Sequence, residues 1–158
     1  MSQELLPAEI AKEQLTSQID TYVAVRTHIK EHILPLLEEG RDYYEIKGKQ
    51  SLGKPGAEKL AAFFNLTAAF EVDKETLALL GEQKGMLAYV CNLTRNGEPR
   101  GQGRGADTVA RNQNDPNKAI KMCQKRAYVD AVIRATGLSD MFTQDIEDMA
   151  LENVSKPT

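Results

Sequence analysis

Residues 86–108 read MLAYVCNLTRNGEPRGQGRGADT, and this stretch decides the predicted fold. Met86–Arg95 has the alternating apolar composition of a strand and runs directly into Asn96-Gly97. Asn-Gly is the preferred pair in two-residue hairpin turns, because both turn positions need a positive φ. The sequence therefore predicts a β-hairpin whose returning strand is Glu98–Thr108.

The turn also predicts a register for this hairpin. The expected cross-strand pairs are Arg95 with Glu98, Leu93 with Arg100, Cys91 with Gln102 and Tyr89 with Arg104. Three glycines then share one face of the returning strand, opposite the small or polar residues Asn92, Val90 and Ala88: Gly101, Gly103 and Gly105. A helix can pack very close to such a face, and the arginines are left on the other face.

The segments on either side of the hairpin complete an α+β pattern. After a loop at Ala110–Asp115, a helix is expected from Pro116 to Thr136, with Gly137 as its stop. Upstream of the hairpin, the patterns predict helices at 8–39 and 54–65, a loop at 48–56, and strands at 41–47 and 67–73. Near the C-terminal end, a short helix is expected near 143–151. The predicted fold class is α+β with a small antiparallel sheet.

Charge is distributed unevenly along the 158 residues. The formal net charge is −3, but residues 1–40 and residues 138–158 each carry −4, whereas residues 41–137 carry +5. We therefore expect a single domain, 1–158, made of a helical arm (1–40), a basic core (41–137) and an acidic tail (138–158). No apolar run is long enough to span a bilayer and the N-terminus lacks a signal-peptide pattern, so a cytoplasmic location is expected. Cys91 and Cys123 form no CxxC pair and are expected to be buried small apolar residues.

Basic residues are concentrated in the hairpin and the helix that follows it. Lys118, Lys121 and Lys125 are three and four residues apart and so share one helix face, with Arg126 adjacent. A basic groove with aromatic side chains beside it is typical of proteins that bind single-stranded nucleic acid. The residues expected to contact the nucleic acid are Arg95, Arg100, Arg104, Lys118, Lys121, Lys125 and Arg126, with Lys47, Lys49 and Lys54 secondary and Tyr89 as a base-stacking platform.

Other motifs fit enzymatic functions less well. Residues Gly48–Lys54 match the phosphate-binding pattern GxxxxGK, but Pro55 replaces the Ser or Thr whose hydroxyl would bind Mg²⁺. His28 and His32 are four residues apart, as in one class of zinc peptidase, yet the chain holds no third histidine. An acidic cluster, Asp140, Asp145, Glu147 and Asp148, is typical of a solvated tail. No catalytic residue, metal site or cofactor is therefore expected.

Residues 41–148 resemble the Rad-fifty-two-type single-strand annealing superfamily, including its bacterial and phage Erf, Sak and DdrA groups. The resemblance is carried by the glycine-rich strand Gly101–Asp107, the helix start Asn117-Lys118-Ala119, its continuation Lys125-Arg126-Ala127, and Ala135-Thr136-Gly137. Residues 54–60 (KPGAEKL) and 142–145 (FTQD) also resemble pieces of small phage proteins of this kind.

The resemblance implies a β-β-β-α core and a non-enzymatic protein that anneals complementary DNA strands without ATP. It implies a ring or filament of identical subunits, single-stranded DNA held in a basic groove, a role in recombination and repair, a replication or repair protein as partner, and a phage-encoded or bacterial, nucleoid-associated protein. Two alternatives stay open: a non-annealing module that binds RNA or a protein, and a nucleotide-dependent enzyme acting through Gly48–Lys54.

Overall fold

The computed structural model describes residues 7–142, so the helix expected near 143–151 and most of the acidic cluster lie outside the described residues. The fold is α+β, as predicted, with a two-stranded and a three-stranded antiparallel sheet. The chain divides into two units, residues 1–37 and residues 38–158, which are described separately.

The first unit is a helix with an irregular end. The helix α1 spans Pro7–His28, followed by a π-helical turn at Ile29–Ile33 and a 3₁₀ turn at Leu34–Leu36. The helical segment expected at 8–39 therefore becomes irregular after His28 and ends at Leu36. Pro35 lies in the last turn, and proline lacks the N–H that a regular α-helix needs at that position. Within residues 7–142, no helix combines the length and apolarity needed to cross a membrane.

The second unit begins with a small hairpin. The strands β1 (Tyr43–Ile46) and β2 (Lys49–Leu52) pair through a two-residue turn at Lys47-Gly48, where φ is 51° and 77°. Residues 48–56 were expected to form a loop, and β2 corrects that expectation. The helix α2 (Lys54–Phe63) follows, with Pro55 in its first turn, as predicted.

Buried Asp42 joins β1 to α2. Its side chain is fully buried, accepts a hydrogen bond from the backbone N–H of Glu38 at 2.8 Å, and pairs with Lys59 Nζ of α2 at 2.6 Å. Burial of the carboxylate opposes its ionisation, but the bonds from Lys59 and Glu38 outweigh burial and lower the pKa of Asp42. The Asp42 side chain thereby ties the middle of α2 to the segment just before β1.

The three-stranded sheet has the order β3-β4-β5, formed by Thr67–Val72, Met86–Arg95 and Glu98–Thr108. A short helix, α3 (Lys74–Leu79), lies between β3 and β4. The long helix α4 (Pro116–Thr136) follows β5; Asp115 caps its start, and Gly137 ends it in a left-handed conformation (φ 68°). Together, β3, β4, β5 and α4 form the expected β-β-β-α core.

A β-bulge shifts the register predicted for the β4–β5 hairpin. Asn96 and Gly97 both have positive φ and Arg95 faces Glu98, as predicted, but Thr94 faces Pro99 and Leu93 faces Gly101. The extra residue is Arg100. It follows Pro99, which cannot donate a ladder hydrogen bond and is typical of bulges and edge strands.

Beyond the bulge, every predicted pair is shifted by one residue. Tyr89 faces Gly105 and Cys91 faces Gly103, whereas Arg104 faces Val90 and Gln102 faces Asn92. Tyr89 therefore shares a face with the glycines, and Arg104 lies on the other face. The expected grouping of Tyr89 with Arg104 is wrong.

The glycine face of β5 packs against α4 at very close range, as predicted. A Cβ at Gly101 would lie 2.7 Å from Ala135 Cβ, and one at Gly105 would lie 2.7 Å from the carbonyl oxygen of Cys123. A Cβ at Gly103 would collide with backbone atoms of Ala127 and Ala131. Only glycine allows α4 to approach β5 this closely.

Both cysteines are buried and form no disulfide, and burial raises the pKa of each thiol to about 11.

Candidate nucleic-acid interface

On the α4 side of the sheet lies a groove of about 460 Å³, here called the lysine groove. It is lined by residues of α2, β3 and α4: Lys54, Glu58, Phe70, Lys121, Gln124, Lys125 and Tyr128. Its position follows from the fold, because Phe70 faces Cys91 in the sheet and so lies on the face that α4 covers. Three of the lysines predicted to contact nucleic acid therefore meet in one place.

Two aromatic rings line the groove together with these lysines. The ring centroids of Phe70 and Tyr128 lie 6.4 Å apart, and the rings are tilted by 50°. Phe70 remains 38% exposed, so part of its ring can be reached by a ligand. Aromatic rings of this kind are platforms on which unpaired bases stack.

The lysine groove has a positive charge balance. Lys54 forms an exposed pair with Glu58 at 3.9 Å, the typical i,i+4 contact on a helix surface. The side chain of Lys121 is exposed and has no ion-pair partner within the part of the chain that the structure describes. The groove thus offers cationic groups at the edge of an aromatic surface, which is the arrangement that suits a phosphate backbone with bases beside it.

Tyr128 keeps its proton at physiological pH. Burial, then the carboxylate of Glu58, then Cys91, raise the pKa of the Tyr128 hydroxyl to about 12. The phenol is therefore neutral and adds no negative charge to the groove. It remains a hydrogen-bond donor for a ligand.

The hairpin arginines do not join the lysine groove. Arg95 Nε donates to the carbonyl oxygen of Phe64 at 2.9 Å, which ties the end of β4 to the end of α2. Arg100, the bulge residue, pairs with Glu98 at 3.2 Å. Neither residue lines the groove, so the expectation that the hairpin and α4 supply one common basic surface is not met by these side chains.

Arg104 lies on the opposite face of the sheet. Its guanidinium pairs with Asp73 at 2.6 Å, and both line a second concavity that also contains Glu71 and Glu75. Its lining holds three carboxylates and two cations, Lys74 and Arg104, so its charge balance is negative and it is a poor site for phosphate. The backbone N–H of Arg104 donates to Asp130 Oδ2 at 3.0 Å, so a side chain of α4 occupies the outer edge of β5.

Arg126 points into the protein. Its side chain is 9% exposed, lies 2.7 Å from Asp107 Oδ2, and donates to the carbonyl oxygen of Ala106 at 3.3 Å. The guanidinium group of Arg126 therefore joins α4 to β5 and is not available to a phosphate. The sequence places it one residue after Lys125, which on a helix turns it toward the core.

The other predicted contacts lie outside the groove lining. Lys118 is exposed on α4, one turn before Lys121 and on the same helix face. Lys47 and Lys49 are at the turn of the β1–β2 hairpin, and Tyr89 lies on β4 opposite Gly105. Lys118 extends the basic track of the groove along α4.

The two motifs considered for other chemistry have different structural roles. Residues 49–52 form β2, so the backbone is extended and paired where a phosphate-binding loop would have to curve around a phosphate. The rings of His28 and His32 lie 4.7 Å apart, and residues 7–142 contain no group of three or more His, Cys, Asp or Glu side chains arranged for a metal ion.

Phe70, Tyr128, Gln124 and Glu58 were not among the predicted contacts. A signal for Tyr128 was present, because it follows Lys121 and Lys125 at helical spacing and so belongs to the same face of α4. Phe70 carried no comparable signal, since its position beside Tyr128 depends on how β3 pairs with β4.

Comparison of the chain with protein-family models, with curated proteins and with solved structures finds no match.

Proposed function

We propose that this protein binds single-stranded DNA in the lysine groove and, as an oligomer, promotes annealing of complementary strands without ATP. The observation that carries the proposal is the meeting of Lys54, Lys121 and Lys125 around the Phe70–Tyr128 pair. Lysines along the edge neutralise phosphates, and an exposed ring accepts an unpaired base. A duplex keeps its bases stacked on one another and has no free base face to offer Phe70.

The annealing activity is supported by a different argument. The glycine-rich strand and the helix that follows it are the features through which the sequence resembles single-strand annealing proteins, and a β-β-β-α core is what that resemblance implies. One groove of about 460 Å³ holds only a short piece of a strand. Repetition of the groove in an oligomer links many weak contacts at high effective concentration and leaves most bases exposed to a complement.

The first test is the salt dependence of binding to a single-stranded DNA oligonucleotide. Each neutralised phosphate contributes about −0.7 to the slope of log K against log salt, so Lys121→Ala with Lys125→Ala should weaken binding and flatten the slope by about 1.4. Lys84→Ala, which removes a charge from an exposed position between α3 and β4, is the control and should change the slope little. An unchanged slope in the double variant would show that the lysine groove is not the binding site.

The second test separates annealing from simple binding. Two complementary strands with donor and acceptor dyes should pair faster in the presence of the protein and without ATP, and Phe70→Leu should reduce this acceleration. Binding without faster pairing would contradict the annealing part of the proposal and favour a non-annealing module. Equal or tighter binding of RNA of the same sequence would favour an RNA partner.

A further inference from the structure

The lysine groove contains one acidic side chain. Glu58 lies on α2, one turn after Lys54, and is the single carboxylate among the residues that line the groove. A carboxylate repels a phosphate backbone, so its presence needs a reason if the groove binds DNA. The inference drawn from it rests on the proposed function.

The carboxylate of Glu58 is available to a ligand. Its contact with Lys54 is loose, at 3.9 Å, and the two side chains are 58% and 61% exposed. Exposed helix pairs of this kind hold each other weakly. Both oxygens of Glu58 can therefore accept hydrogen bonds from another group without disruption of a buried contact.

Glu58 also lies close to the aromatic surface. It lines the same groove as Phe70 and Tyr128, and its charge contributes to the raised pKa of the Tyr128 hydroxyl. A base that stacks on the exposed part of Phe70 can present its polar edge to Glu58 and Gln124, which line the same groove. These two side chains supply an acceptor and a mixed donor and acceptor at the edge of one stacking platform.

We infer that Glu58 reads the base held in the lysine groove and favours bases with an exocyclic amino group over thymine. An ionised carboxylate only accepts hydrogen bonds, and the amino group of cytosine is a donor that Glu and Asp accept in known base recognition. Thymine presents its O4 carbonyl oxygen at the position where cytosine has its amino group, and this oxygen and the carboxylate are both acceptors, which repel each other. Phosphates then lie along Lys121 and Lys125, and the base edge faces Glu58.

The experiment compares affinities for dC and dT oligonucleotides of equal length at pH 7.5. These two pyrimidines stack weakly on their neighbours, so the ratio of their dissociation constants reports base recognition. For the wild-type protein, the dC-to-dT preference should exceed that of Glu58→Gln by about fivefold, the low end of what one base-edge contact supplies. Glutamine retains the size of the side chain but also donates, and so it no longer disfavours the thymine carbonyls.

The ratio separates this role from simple repulsion. Because Glu58→Gln removes a negative charge, this variant should bind both oligonucleotides more tightly than the wild-type protein does. If Glu58 acted by repulsion alone, the dC-to-dT ratio would be the same in the variant and in the wild-type protein. That result would overturn the inference. The control Glu75→Gln removes an exposed carboxylate on the opposite face of the sheet and should leave the ratio at its wild-type value. If the wild-type protein binds neither oligonucleotide, the proposed function fails as well; binding of both with an unaltered ratio removes only this inference.

Discussion

Gly103 is the residue at which the contact between β5 and α4 is tightest. The atoms that a Cβ would meet are the backbone nitrogen of Ala131 and the carbonyl oxygen of Ala127. These atoms are fixed by the helix, so Gly103→Ala should lower the free energy of unfolding by about 3 kcal/mol, the upper end of the usual cost of overpacking. Urea denaturation followed by circular dichroism measures the change.

A second glycine supplies the comparison for this prediction. At Gly101 the nearest obstacle is the methyl group of Ala135, at 2.7 Å, and a second substitution can remove that methyl group. Gly101→Ala should cost less, and Ala135→Gly should recover part of the loss. Ala131→Gly should recover nothing for Gly103→Ala, because the obstacles there are backbone atoms. Recovery at Gly103, or equal losses at the two sites, would contradict the packing described for α4.

Individual contact residues were predicted unevenly from the sequence, and the reasons are physical. Lys121 and Lys125 could be placed on one face of α4 because helical spacing is local information. Arg126, one residue later, could not be assigned to the core without knowledge of its partner Asp107, which lies 19 positions earlier on strand β5. Phe70 depends on long-range strand pairing in the same way.

The turn of the β1–β2 hairpin holds a lysine in a backbone conformation that disfavours it, and a substitution can relieve this strain. Its turn residue Lys47 has a φ of 51°, a left-handed conformation that favours Asn or Gly, whereas the β4–β5 hairpin has Asn96 at the equivalent turn position. Lys47→Asn should therefore raise the free energy of unfolding by about 0.5–1 kcal/mol. The control Lys84→Asn removes the same charge at a residue without positive φ and should not stabilise. A neutral or destabilising result for Lys47→Asn would contradict a strained turn.

Elements with a strong local signal were predicted well. The bounds of β4, β5 and α4 match the expectation, because Asn96-Gly97, Pro116 and Gly137 mark their ends. The strand β2 was missed because its sequence is short, polar and flanked by glycines. No element was expected for α3, although Asp73 accepts a hydrogen bond from the backbone N–H of Thr76 and so caps that helix. The bulge at Arg100 shifted the register, since a turn sets the pairing only as far as the ladder stays regular.

At the scale of the whole protein, we expect an oligomer. The helix α1 buries none of its side chains, and Leu15, Ile19, Tyr22 and Val23 are all at least half exposed. Apolar surface of this extent favours association. Light scattering at micromolar concentration and physiological salt should give a mass several times 17.5 kDa. A single species of 17.5 kDa, with no larger species after addition of single-stranded DNA, would contradict both the oligomer and the annealing mechanism that depends on it.

The bond between the backbone N–H of Arg104 and Asp130 also restricts how such copies can join. A strand from another molecule that adds to β5 has to displace Asp130, which also accepts from Arg134 at 2.9 Å. Open-ended growth of sheets, in which β5 of one copy extends β3 of the next, is therefore opposed at every junction. Two copies that join through β3 alone form a closed, two-fold pair, which has no further strand edge to propagate. We therefore expect the side chain that helps to hold α4 on the sheet also to disfavour fibrous aggregation.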